Sequence, residues 1–208
     1  MKTLLATALG AAVLAAPAAA APNPALLHPA RLHAKAPAVF RARFATTKGA
    51  FVVTVHRAWA PRGADRFWNL VRNRFYDGQR LFRVVPGFVV QWGISGTPKV
   101  AAAWQDATIP DDPVRHSNAR GTITFATAGP STRTTQVFVN LAANTFLDQQ
   151  GFAPFGQVTS GMKTLATLYR GYGDRPTRAQ PQITAGGEAY LRRTFPKLDR
   201  ILRARIVR

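Results

Sequence analysis

The 208-residue sequence contains no cysteine and a single glutamate, Glu188. Without cysteine the fold has no disulfide, and the chemistry has no thiolate nucleophile and no thiolate metal ligand. Two of the four histidines, His28 and His33, lie in one stretch with no further ligand type nearby, too few for a metal site. No acid pair suited to proton transfer stands out, so a reaction that needs no metal and no cofactor fits best. Acidic residues are scarce overall: nine, against 28 lysines and arginines, for a formal net charge of +19. Such a surface attracts anionic polymers. The basic residues are nevertheless scattered, and clusters such as Arg192-Arg193 or Arg200, Arg203 and Arg205 are short. That pattern fits a solvated arginine-rich surface better than a nucleic-acid interface, and no nucleic-acid partner is expected. Long apolar runs are also lacking. The run from Leu4 to about Ala16 is too short for a membrane span, and no later segment is longer.

That first run has another reading. Met1-Lys2 give a positive start, the apolar stretch follows, and Ala18-Ala19-Ala20 fit a small-x-small cleavage site. Residues 1–20 are therefore expected to be a signal peptide cleaved near Ala20, leaving a periplasmic or secreted protein. The bland alternative is an alanine-rich helix that stays attached. No cysteine follows the run, which excludes a lipid-anchored form. Residues 21–36, punctuated by Pro22, Pro24 and Pro29, lack apolar periodicity and are expected to be a tether.

From residue 37 to 208 the sequence reads as one domain. Apolar residues make up 47% of the chain, a globular composition. Residues 39–44 and 51–55 read as strands joined by the turn Thr46-Thr47-Lys48-Gly49. A helix is expected from Pro61 to Phe75, with Ala64, Phe67, Trp68, Val71 and Phe75 on one face. Short strands follow at 81–85, 89–92, 122–126, 136–141 and 155–158. A second helix is expected at 161–169, a short extra helix at 188–194, and a closing strand at 201–207. Many short strands with two main helices predict a mainly β fold, a closed barrel capped by helices.

One segment carries chemistry by itself: Leu81-Phe82-Arg83-Val84-Val85-Pro86-Gly87-Phe88-Val89-Val90-Gln91-Trp92-Gly93. On a strand, alternate residues share a face. Arg83 and Val85 then point one way, and Phe82 and Val84 the other. Pro86-Gly87 turns the chain, so that Phe88 and Gln91 return beside Arg83. A cation, an amide and an aromatic ring would line one groove. Taken alone, an arginine on a strand is more often a solvated or ion-paired surface residue, and both readings stay open.

The segment resembles the cyclophilin signature, in which a phenylalanine-histidine-arginine run leads to a phenylalanine and a glutamine-x-glycine. The stretch from Gly121 through Pro130 to Asn140 resembles the family's other signature. Phe146-Leu147-Asp148 with Phe155-Gly156-Gln157-Val158 resembles the loop and strand that follow. The three keep family order and spacing across about residues 38 to 208. The resemblance implies a closed eight-stranded antiparallel β-barrel with a helix over each end and a substrate groove on its outside. It implies a peptidyl-prolyl cis–trans isomerase that acts as a monomer on proline-containing polypeptide clients, with no cofactor, metal or membrane span.

Carried over residue by residue, the resemblance makes Arg83 the catalytic residue. It makes Phe88, Val89, Phe138 and Leu147 the proline pocket, and it makes Gln91 the residue that orients Arg83. Ala126, Thr127, Ala128 and Gln136 become the edge along which a peptide backbone lies. Phe146 takes the place of the tryptophan found in drug-sensitive members. The sequence departs from the pattern at Phe82, where a histidine is usual, and at Val89, where a methionine is usual. It departs also at Ile94, at Thr127, and at Gln149-Gln150-Gly151-Phe152, where a loop histidine has no counterpart. None of these removes Arg83. Two other readings of the sequence are a proline-peptide binding module or chaperone with little turnover, and a basic adhesive protein that binds acidic polymers.

Overall fold

The computed structural model describes residues 22–208. The expected signal peptide lies outside the described residues. Eight strands are present among the described residues: β1 (Val39–Thr46), β2 (Gly49–His56), β3 (Arg83–Val85), β4 (Val89–Trp92), β5 (Thr122–Phe125), β6 (Val137–Asn140), β7 (Pro154–Ser160) and β8 (Ile201–Val207). Helices α1 (Pro61–Arg72), α2 (Pro98–Gln105), α3 (Met162–Ala166) and α4 (Gln180–Thr194) connect or cover them. The strands form one sheet in the order β3-β4-β6-β5-β7-β2-β1-β8, and every pair is antiparallel.

The eight-stranded, mainly β architecture matches the expectation, but closure is incomplete. The sheet curls into a half-barrel with β3 and β8 at its edges. At three residues, β3 is too short to run beside the seven-residue β8. The edges instead meet just ahead of β3. An isolated bridge joins Arg80 to Arg200, and backbone bonds run from Leu81 N to Asp199 O and from Ile201 N to Gln79 O.

The inward face supplies the core. Phe44 and Phe51 stack at 4.9 Å, and Trp92, Tyr76, Phe67, Phe125 and Phe155 pack around them, all fully buried. Burial of so many rings is the main driving force available to a chain without disulfides. α1 lies against β7 and β8, and α3 against β2. The apolar face of α1 is Ala64, Phe67, Leu70 and Val71. It stops at Arg72 rather than Phe75 because Arg74 takes a left-handed φ of 62°, yet Phe75 is still buried in the turn that follows.

A second core sits outside the barrel. Phe82, Ile94, Ala101, Ile183, Leu191, Phe195 and Leu198 pack together under α2 and α4. Phe82 therefore does not share the surroundings of Val84, which faces the barrel interior. The helix expected at 188–194 is the second half of the longer α4, which kinks at Gly187 (φ 54°). A side chain at Gly187 would meet the carbonyl of Gly96 at 2.2 Å. Glu188, just past the kink, grips Arg80 through bonds of 3.0 and 2.5 Å, while Arg80 Nη1 donates to Leu198 O. The sole glutamate thus fastens α4 to the seam of the barrel.

Residues 22–36 do not leave the domain as the expected tether would. Two short 3-10 turns at Pro24–Leu27 and Pro29–Arg31 hold them in place. Leu26 is buried, and its carbonyl accepts from Trp104 Nε1 at 2.8 Å. Ala36 N donates to Asp65. Among the described residues, no helix is long and apolar enough to cross a membrane.

Candidate active site

Register builds the site. In β3, β4, β6 and β5, Arg83 pairs across to Gln91, Gln91 to Phe138 and Phe138 to Thr124. One residue along, Val84, Val90, Val139 and Ile123 form the adjacent row. Alternation sends the two rows to opposite faces. The Val84 row is packed in the barrel core, so the Arg83 row faces away from it.

The turn at Pro86-Gly87 brings Phe88 back beside Arg83; Gly87 has φ 71°, and Phe88 N donates to Val85 O at 3.0 Å. The Arg83 guanidinium lies 5.1 Å from the centre of the Phe88 ring. Val89, Phe138 and Leu147 form a small apolar cluster, with Phe88, Ala126 and Phe152 packed against it. Together these residues floor a groove of about 290 Å³. The floor is apolar, and Arg83, Gln91 and Gln136 stand at its polar side.

The loop that presents Leu147 is held by amides. Asp148 accepts from Ser117 Oγ, Asn118 N and Asn118 Nδ2. Burial pushes its carboxyl upward, but these three donors outweigh that and hold it below the ordinary carboxylate range. Asn144 Nδ2 donates to Phe88 O at 3.0 Å and to Asn140 Oδ1 at 2.7 Å, tying the loop to the turn that carries Phe88.

The opposite wall depends on a close approach. Gly93, at φ 124°, sits so tightly against residues 135 and 136 that a Cβ there would lie 2.5 Å from the Gln136 Cα. This is why the glutamine-x-glycine ends in glycine. Arg66 from α1 supports the same wall, donating to Thr134 O at 3.0 Å. Its guanidinium packs on Trp104, and burial lowers its pKa to about 10. Along the expected peptide edge, Ala126 N already donates to Gln136 O, and Ala128 N donates to Thr132 Oγ1. The Thr127 and Gln136 N–H groups have no partner among the described residues, so two backbone donors remain on that edge.

The groove brings together Arg83, Phe88, Val89, Gln91, Ala126, Thr127, Ala128, Gln136, Phe138 and Leu147. Phe146 is not in it. Its ring is half-exposed and stacks on Phe88 at 6.1 Å, at the rim. Five lining residues were missed by sequence. Phe152 packs edge-on to Phe138 at 5.7 Å, in the loop where the family histidine has no counterpart. Thr132 and Thr134 extend the wall. Gln180 is the first residue of α4, and Thr177 arrives from the segment ahead of it. Asp174, in the same segment, accepts from Arg83 Nε at 2.5 Å. A sequence signal did exist: Gly173-Asp174-Arg175-Pro176 is a turn followed by a proline that opens a helical segment.

Comparison with known proteins agrees with this geometry. The family model for cyclophilin type peptidyl-prolyl cis-trans isomerase/CLD matches residues 41–187. Peptidyl-prolyl cis-trans isomerase-like 1 of Gibberella zeae is 35% identical over 138 residues, covering 63% of this chain and 84% of that protein. A peptidyl-prolyl cis-trans isomerase of Acinetobacter baylyi is 34% identical over 122 residues, 56% of this chain and 65% of its own. In fold, the chain resembles the cyclophilin type peptidyl-prolyl cis-trans isomerase of Cryptosporidium parvum crystallised in the presence of the dipeptide Ala-Pro, with a TM-score of 0.60 and 19% identity over 81% of this chain and 99% of the other. With the family model matching most of the chain and curated relatives above 30% identity, the chain belongs to the cyclophilin-type peptidyl-prolyl cis–trans isomerases.

Proposed function

We propose that Arg83 carries the isomerisation by hydrogen bonding to the prolyl nitrogen of a peptide held in the groove. A peptide bond resists rotation because resonance gives it double-bond character, with a barrier of about 18–20 kcal/mol. At the twisted transition state that resonance is lost, and the nitrogen lone pair becomes an acceptor. A donor aimed at the lone pair stabilises the twisted state more than the planar one, which is the condition for catalysis. The observation that carries this reading is how Arg83 is held. Its Nη1 donates to Gln91 Oε1 at 3.1 Å and its Nε to Asp174, and Nη2 has no hydrogen-bond partner among the described residues. Nη2 is the donor on offer to a ligand.

Phe88, Val89, Phe138 and Leu147 would hold the proline ring while the preceding carbonyl swings. Their apolar surface keeps water from the bond as it twists. Gln91 orients Arg83, and the free Thr127 N–H takes a peptide carbonyl. Phe146, at the rim, contacts residues beyond the proline. Clients are proline-containing polypeptides, and the Ala-Pro dipeptide used with the Cryptosporidium parvum relative is a minimal form of that class. They are met after export, and the protein works as a monomer.

The test is Arg83→Ala, with turnover of a proline-containing peptide followed by exchange spectroscopy. Arg83 is partly exposed on an edge strand and faces away from the barrel core, so its truncation leaves no core cavity. We expect a loss of at least about a hundredfold, corresponding to about 3 kcal/mol of transition-state stabilisation, with little change in peptide binding. Arg83→Lys should recover little of it, because a point ammonium cannot replace a planar fork held on two sides. A folded Arg83→Ala protein with near-normal turnover would show that the assignment is wrong.

A further inference from the structure

The segment from Asp174 to Gln180 crosses the polar side of the groove and grips the side-chain series Arg83–Gln91–Gln136 at both ends. At one end Asp174 Oδ1 accepts from Arg83 Nε at 2.5 Å. At the other, Gln180 Oε1 accepts from Gln136 Nε2 at 2.8 Å. Between them the donors run in one direction. Arg83 Nη1 donates to Gln91 Oε1 at 3.1 Å, and Gln91 Nε2 donates to Gln136 Oε1 at 2.9 Å. The strap is itself anchored. Pro176 is buried, and the Arg175 guanidinium lies over Tyr172, whose ring packs against Phe195.

The placement of Asp174 is specific. It stands at the N-cap of the 3-10 segment Arg175–Ala179 but makes no side-chain capping bond. An aspartate there ordinarily accepts from the backbone N–H two or three residues on. Here the second residue is Pro176, which has no N–H, and the Thr177 N–H already donates to Asp174 O at 3.0 Å. The carboxylate therefore has no local donor to satisfy, and Arg83 is its partner. The guanidinium is left with Nε held from the strap, Nη1 held from β4, and Nη2 open. Two fixed corners of a rigid plane fix the third.

We propose that Asp174 is a positioning residue for the isomerisation. It locks the Arg83 plane from the side opposite Gln91, so that Nη2 meets the prolyl nitrogen as the bond twists. The proposal rests on Arg83 being the residue that acts on that nitrogen. An ordinary exposed ion pair contributes little. This one differs in that its arginine is only 22% exposed and is held on a second side by Gln91.

The experiment measures isomerisation of a proline-containing peptide across substrate concentrations for Asp174→Ala, Asp174→Asn, Arg83→Ala and the Arg83→Ala/Asp174→Ala double variant. Side-chain proton–nitrogen spectra follow the Arg83 Nε–H. Asp174 is largely exposed, so its truncation leaves the fold intact. Asp174→Ala should lower kcat about tenfold with KM changed by less than about twofold, since the interaction acts in the transition state. Asp174→Asn should recover most of that loss, because an amide oxygen still accepts from Nε. The Nε–H resonance should move upfield in Asp174→Ala and much less in Asp174→Asn. In the Arg83→Ala background, Asp174→Ala should have no further effect. The proposal is overturned if Asp174→Ala leaves kcat unchanged or raises it, which would make the carboxylate idle or a competitor for the arginine. It is also overturned by a rise in KM alone, or by an equal loss with and without Arg83. If instead Arg83→Ala itself keeps turnover, the reading of Arg83 fails first, an outcome distinct from an inert Asp174→Ala beside a dead Arg83→Ala.

Discussion

Truncating the chain's sole glutamate should reveal how firmly α4 is fastened to the barrel. Glu188→Ala removes both carboxylate oxygens from Arg80, whose side chain is only 10% exposed, and leaves that guanidinium with Leu198 O alone. Removing one partner of a fully buried pair costs about 3–5 kcal/mol, chiefly from the charge left unpaired. Two features reduce that here. Glu188 is itself 31% exposed, so water screens the pair, and the carbonyl bond to Arg80 survives. We therefore expect a loss of about 2 kcal/mol, or about 4–8 °C in melting temperature for a domain of this size. Glu188→Gln keeps one acceptor and should lose about half as much. Urea unfolding followed by tryptophan fluorescence gives the free energies, and Arg80→Ala with the double variant gives the coupling. Because the strap that carries Asp174 and Gln180 leads into α4, the isomerisation rate should fall in Glu188→Ala even where the protein remains folded. A Glu188→Ala protein within about 0.5 kcal/mol of wild type would show that the pair behaves as an ordinary surface contact, and the fastening argument would fail.

Acidification should loosen the groove before the barrel. The Asp148 carboxyl is held below its ordinary range in the fold, so the stability it lends the 144–152 loop is complete above about pH 4 and is lost as pH falls through the lowered folded value. Peptide affinity measured down to about pH 3 should fall in that window, and Asp148→Asn should flatten the fall; an unchanged profile in Asp148→Asn would assign the effect elsewhere. Export should be visible in the N-terminus: protein secreted by a bacterial host should begin near Ala21, and recovery of an intact Met1 form from the membrane pellet would count against it.

The sequence was most informative where periodicity and motif coincide. The alternation in 39–44 and 51–55 marked β1 and β2, and the motif from Phe82 to Gly93 placed Arg83, Phe88 and Gln91 in one groove. It was least informative where structure depends on distant partners. α2 is alanine-rich, so no apolar stripe announced it, although Pro98 at its start could have. Residues 22–36 looked loose because three prolines break their pattern, yet buried Leu26 and Ala36 and hydrogen bonds to Asn69 and Asp65 dock them. The strap over the groove has neither period nor apolar run. Its decisive contact joins residues 91 apart, and a pairing that remote leaves no local trace in composition. Phe82 illustrates a related limit. The substitution was plain to read, but the second core that explains it, under α2 and α4, was not.

The interleaving of the Arg83 row with the Val84 row bears on how such a protein can change over time. Groove and core are written on alternate residues of the same three-to-four-residue strands, Arg83–Val85, Val89–Trp92 and Val137–Asn140. Single substitutions on the outward row alter ligand contacts without repacking the interior, so preference can drift at little cost to folding. Insertions and deletions have no such freedom. A shift of one residue in β4 would send Gln91 into the apolar interior and Val90 into the groove, destroying both at once. Length variation is therefore confined to the connections, and a scan of single-residue insertions should be fatal to folding between Val89 and Trp92.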